Sequence, residues 1–188
     1  MSILSIGRYS AVLKALPRRA RLKVFRETDG MAAVEFALVA APFFALLIAT
    51  LDLALLFMAQ ASLETAVEQT ARLVLTGQAL SQGLTASAFK TDVCNKLPGA
   101  FTCGGVMVDL QTANSFSAAT TAAPALTYNA QGQVTNAWKF TVGNPGDIQV
   151  MRVMYQWPVF PGPLNLNFAN LSNGSYLLMA TAVFRNEP

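Results

Sequence analysis

The stretch DGMAAVEFALVAAPFFALLIATLDLALLFMA, residues 29–59, decides how the chain is read. After its first residue it is an apolar run, and about 20 such residues in a helix span a hydrocarbon core of about 30 Å. Two carboxylates interrupt the run, Glu35 and Asp52. On even the lenient insertion scales, each costs about 3 kcal/mol at the centre of a bilayer. At a rise of 1.5 Å per residue, their separation is roughly 25 Å along a helix, a little less than the hydrocarbon thickness. With Glu35 near one interface, Asp52 lies near the other. Asp52 then reads as an interfacial carboxylate that reaches water or a neighbouring helix. Glu35 needs a separate explanation.

Downstream, the helical signal continues in an amphipathic form. In SLETAVEQTARLVLTG, residues 62–77, the side chains of Leu63, Ala66, Val67, Thr70, Ala71 and Val74 recur every three or four positions, and Glu68 and Arg72 form an i,i+4 pair on another face. Gly77 is placed to end the helix. One helix of about 45 residues is expected, half of it suited to lipid and half to packing on a folded domain. That domain reads as β. The segments 106–110, 137–142, 147–160 and 175–185 are rich in β-branched and aromatic residues and are separated by Gly, Pro and Asn. In 147–160 neither alternating face is cleanly polar, so one face is expected against the helix and the other partly covered. Residues 112–132 are small and polar, and a long loop is expected there. Helix followed by strands favours an α+β class, with one long N-terminal helix packed on a C-terminal antiparallel sheet.

Charge is distributed as unevenly as hydropathy. Residues 1–30 hold seven of the 13 basic residues and two of the 10 acidic ones, a net +5, while the remainder is −2. The basic cluster abuts the apolar run instead of lying on a folded face, so it is read as a topology signal and not as a nucleic-acid patch. Pro17 interrupts a short amphipathic stretch, AVLKALPRRARLKVF, within this segment. The positive-inside rule places the leader in the cytoplasm and the C-terminal region across the membrane. There the two cysteines, Cys94 and Cys103, are readable either as a disulfide, favoured in an oxidising compartment, or as two buried thiols. With no histidine in 188 residues, neither a zinc site nor a histidine general base can be assembled. No metal or other cofactor is expected. Neither is a catalytic constellation, and the chain is read as a non-enzyme.

The apolar run also carries a motif. Gly30 is followed by four small or apolar residues, then Glu35, then the aromatic Phe36, and all are preceded by a basic leader. This pattern resembles a type IV prepilin cleavage site. In that family a membrane prepilin peptidase cuts after the glycine, which implies a cut between Gly30 and Met31 and makes Glu35 the fifth residue of the mature chain. The new α-ammonium at Met31 would be neutralised by the Glu35 carboxylate of an adjacent, slightly staggered helix, a use of a buried charge pair as a register device. Pro42, which has no amide donor, is expected to bend the helix, as in pilin helices.

The resemblance extends further. Residues 30–78, with GDIQVMRVMYQWPVF and the terminal AVFRNEP, together resemble the TadE-like minor pseudopilins of the tight adherence (Flp, type IVb) pilus system. A TadF-like assignment stays open; TadG-like proteins usually carry a larger exported domain. The resemblance implies a pilin-like fold and a single-pass protein of the bacterial inner membrane. It implies a leader of residues 1–30 that is removed, a hydrophobic helix over 31–60 and a periplasmic domain over 61–188. Implied partners are the prepilin peptidase, the major Flp pilin, other minor pseudopilins (TadF/TadG-like), the inner-membrane Tad assembly platform and membrane lipid. The implied role is promotion of pilus assembly and so of surface adherence, with Asp52, an acidic residue that resembles a family feature, implied to serve beside Glu35 in helix packing or assembly. Two readings compete: an uncleaved signal-anchored periplasmic interaction protein without a pilus role, and a secreted protein cut at Ala59-Gln60-Ala61. An ordinary signal peptide has a shorter apolar region than this one, which counts against the second.

Overall fold

Between Asp29 and Leu75 the sequence contains one proline and no residue that must leave the helical region, and it forms a single 47-residue helix, α1. A computed structural model describes residues 29–159, 162 and 167–188; the basic leader and its amphipathic stretch lie outside them. The chain divides at Ile48 into two units, each considered by itself.

The first unit contributes the helical residues 29–48. Met31, Val34, Phe36, Leu38, Val39, Phe43, Phe44, Leu46 and Ile48 are all exposed there, while Ala45 is buried. An exposed apolar helix of this length is suited to single-pass membrane anchoring.

In the second unit α1 acquires a single buried stripe, Leu56, Ala59, Leu63, Ala66, Val67, Thr70, Ala71 and Val74. This is the three-and-four spacing expected from the sequence. Glu68 and Arg72 share the outer face, but among the described residues they form no ion pair. The helix ends as anticipated, with Gly77 left-handed (φ 70°) and donating its N–H to the Val74 carbonyl (3.0 Å). The Glu187 N–H reaches the Leu75 carbonyl (2.8 Å), so the C-terminal tail satisfies an acceptor that the last helical turn leaves open. Two further helices follow: α2 (Gln78–Ser81) is one turn, and α3 (Ala86–Lys96) is capped by the Thr85 hydroxyl, which accepts the Ala88 N–H (3.2 Å).

Three antiparallel strands, β1 (Met107–Ala113), β2 (Ile148–Pro158) and β3 (Ser175–Arg185), form a sheet in the order β1-β2-β3. Pairing sets Leu110 against Met151, Val153 against Ala180 and Tyr155 against Leu178. These residues share a core with the α1 stripe and with Phe89 and Val93 of α3. The opposite face carries Met107, Asp109, Val150 and Met154, also buried. The connection between β1 and β2 covers it: Arg152 Nη1 donates to the Ala122 carbonyl (3.3 Å), and Gln156 Nε2 donates to the Tyr128 hydroxyl (2.9 Å). This explains why neither face of β2 reads as polar.

Residues 137–142 do not form the strand expected of them. They make one parallel bridge, Leu110 to Phe140, with hydrogen bonds from Leu110 N–H to the Lys139 carbonyl and from Thr141 N–H to the Leu110 carbonyl (both 2.9 Å). Side chains intercept the next backbone groups. Asp109 Oδ1 takes the Lys139 N–H (3.0 Å). The buried Gln149 amide, oriented by its network, donates Nε2 to the Thr141 carbonyl (3.1 Å) and accepts the Gly143 N–H (2.9 Å). The expected loop at 112–132 begins later, because β1 runs to Ala113. It contains a short 3-10 turn, Phe116–Ala118, and a turn closed by the Tyr128–Val134 bridge.

Candidate functional site

The residues singled out in the sequence do not converge on a catalytic centre. They are spread along α1 and over the folded unit. Gly30 and Met31 stand in the first turn of α1, exposed. A methyl group at Gly30 would meet no atom within 4 Å, and its φ lies outside the left-handed region, so nothing in the fold requires glycine there. Glu35 is exposed and has no hydrogen bond or ion pair among the described residues. Pro42 lies inside α1, exposed, and the helix continues through it. Its missing N–H removes one i to i−4 bond.

Asp52 is placed differently. It is half-buried and lines a cleft of about 120 Å3 together with Leu55, Leu56, Trp157, Pro158, Val159 and Phe168. The cleft is walled by apolar and aromatic side chains, with this one carboxylate among them. Trp157 also belongs to an aromatic cluster with Phe101 and Tyr155, with ring centroids 5.4 and 6.2 Å away. The Tyr155 hydroxyl lies 3.2 Å from the Thr102 hydroxyl. Strand alternation in the sequence put Tyr155 and Trp157 on one face, but no local signal associated Phe168 with Asp52.

Cys94, near the end of α3, and Cys103, in the 3-10 turn that follows, are joined by a disulfide with Cα atoms 5.6 Å apart. The bridge ties α3 to the segment that leads into β1. A second, wider groove of about 760 Å3 runs beside β1 and α3, lined by Lys90, Thr102, Met107, Trp138, Tyr155 and Gln156 among others. Among the described residues no three His, Cys, Asp or Glu side chains gather as metal ligands would.

One charged pair went unnoticed in the sequence. Asp109 and Arg152 are cross-strand partners and form a buried ion pair, the Arg152 side chain 11% and the Asp109 side chain 3% exposed. Both Arg152 Nε and Nη2 donate to Asp109 Oδ2, and Gln111 Nε2 donates to both carboxylate oxygens (3.0 and 2.8 Å). With the Lys139 amide also bound, this carboxylate is a structural anchor with its acceptors occupied.

The comparison with known families falls on α1. Residues 30–72 match the TadE-like protein family. The TadE-like segment starts at Gly30 and contains Glu35, Pro42 and Asp52, and it ends within the last turn of α1. The resembling stretches at 146–160 and 176–188 lie outside the matched residues. No curated protein and no solved structure matches the chain. The TadE-like segment points to the Tad pilus system. Its α1 is the one helix among the described residues that is long and apolar enough to cross a membrane.

Proposed function

We propose that the protein is a minor pseudopilin of a Tad (Flp, type IVb) pilus, cleaved after Gly30 by a prepilin peptidase and anchored in the inner membrane by α1. Its folded unit lies in the periplasm, and its role is to initiate, prime or stabilise filament assembly, without enzymatic activity. The observation that carries this reading is the TadE-like segment, whose helix opens on Gly30, exposes most of its apolar side chains over residues 31–48 and holds a Glu35 with no ion pair among the described residues. A glycine that the fold does not need is understandable when a peptidase reads it. An unpaired carboxylate on a lipid-facing helix is understandable when a neighbouring subunit's new α-ammonium pairs with it. The disulfide suits an oxidising compartment.

The test is Glu35→Ala expressed from the native locus. Insertion into the membrane should be retained, because a polar group has been removed. Co-purification with the major pilin and other minor pseudopilins should drop severalfold, and piliation with it. Unchanged co-purification and unchanged piliation would refute the pairing role.

A further inference from the structure

The Asp52 cleft is built more specifically than membrane anchoring requires. Asp52 is half-buried, and among the described residues it has no hydrogen bond or ion pair and no Lys or Arg lines the cleft. A carboxylate held among Leu55, Leu56, Trp157, Pro158, Val159 and Phe168 gives up hydration that nothing in the cleft replaces. A cation would replace it. We infer that the cleft binds the ammonium of an aminophospholipid headgroup, an inference that rests on the membrane-anchored reading of α1.

Three observations select this occupant. The first is chemical, since a carboxylate beside aromatic rings is the pairing that recognises alkylammonium groups, the rings contributing cation–π attraction. An anionic headgroup that carries no ammonium would be repelled by Asp52. The second is size: the cleft, about 120 Å3, has room for a two-carbon ammonium. The third is depth. Residues 31–51 of the helix correspond to roughly 32 Å at 1.5 Å per residue, against a hydrocarbon core of about 30 Å, so on the membrane-anchored reading Asp52 follows an apolar stretch just long enough to span that core.

The chain contains two tryptophans, so Trp138→Phe leaves Trp157 as the sole indole reporter beside the cleft. This full-length protein in detergent is titrated with phosphatidylethanolamine, with phosphatidylglycerol and with free ethanolamine, in the Asp52 form and as Asp52→Asn. The expected result is a saturable change in Trp157 emission with phosphatidylethanolamine, none with phosphatidylglycerol, and at least tenfold weaker binding in Asp52→Asn, whose thermal unfolding midpoint stays unchanged. An equal response to both lipids, or full affinity in Asp52→Asn, would overturn the proposal. Saturation by free ethanolamine at lipid-like concentration would overturn the lipid assignment, and a change seen only on adding another pilin subunit would reassign the cleft to a protein ammonium. Carbonate extraction of native membranes separates the two levels. Release of the chain is failure of the anchoring reading, whereas retention without headgroup selectivity is failure of the cleft alone.

Discussion

Asp109 shows how much one side chain organises in this fold. Its carboxylate accepts from Arg152 on β2, from Gln111 on its own strand and from the Lys139 amide of the long connection, so removing it orphans a buried guanidinium and a backbone donor together. Asp109→Ala should cost about 3–5 kcal/mol, the penalty of leaving half of a buried pair, seen as a lower urea midpoint. The double variant Asp109→Leu/Arg152→Met should recover most of that loss, since no charge is then left unpaired. Gly143 is a second such point. A methyl there would run into the side-chain amide of Gln149 and sit 2.9 Å from the Asp147 Cβ, so Gly143→Ala should displace the buried amide and cost about 1–3 kcal/mol in the same measurement.

Elements differ in what they lean on. Leu63 of α1 is fully buried against the sheet, while Leu51 is 57% exposed. Leu63→Ala should destabilise the folded unit by about 2–5 kcal/mol, and Leu51→Ala in detergent by less than about 0.5 kcal/mol, checked by thermal unfolding of both variants. Reducing the Cys94–Cys103 bridge, whose partners are 9 residues apart, should cost about 2–3 kcal/mol on the chain-entropy account, read as a lower urea midpoint under reductant. Periodicity made α1 legible in the sequence up to its Gly77 terminus, and β-branched composition marked β2 and β3. The segment 137–142 has strand-like composition but no full ladder, because Asp109 and Gln149 take the backbone groups it needs, and those interceptions depend on tertiary contacts. Helix α3 was missed since only Phe89 and Val93 form its buried face, although Thr85 before it and Lys96 in its last turn were readable cap signals. Of the candidate site, the motif on α1 could be read directly. The cleft around Asp52 could not, because Trp157 and Phe168 reach it only through folding.

Across the whole molecule, two solvents are written into one chain. Residues 31–48 expose most of their apolar side chains, whereas the described residues of 49–188 bury a conventional core, and a basic leader precedes both. On the proposed function, a peptidase turns this chain into an assembly subunit by exposing an ammonium at Met31 for Glu35 of a neighbour to meet. Intact mass and N-terminal sequencing of the protein from native membranes, with and without the prepilin peptidase, test this most directly. The account predicts a mature chain beginning at Met31 that disappears when the peptidase is absent. A chain retaining residues 1–30 in both strains would contradict it and leave a signal-anchored protein in its place.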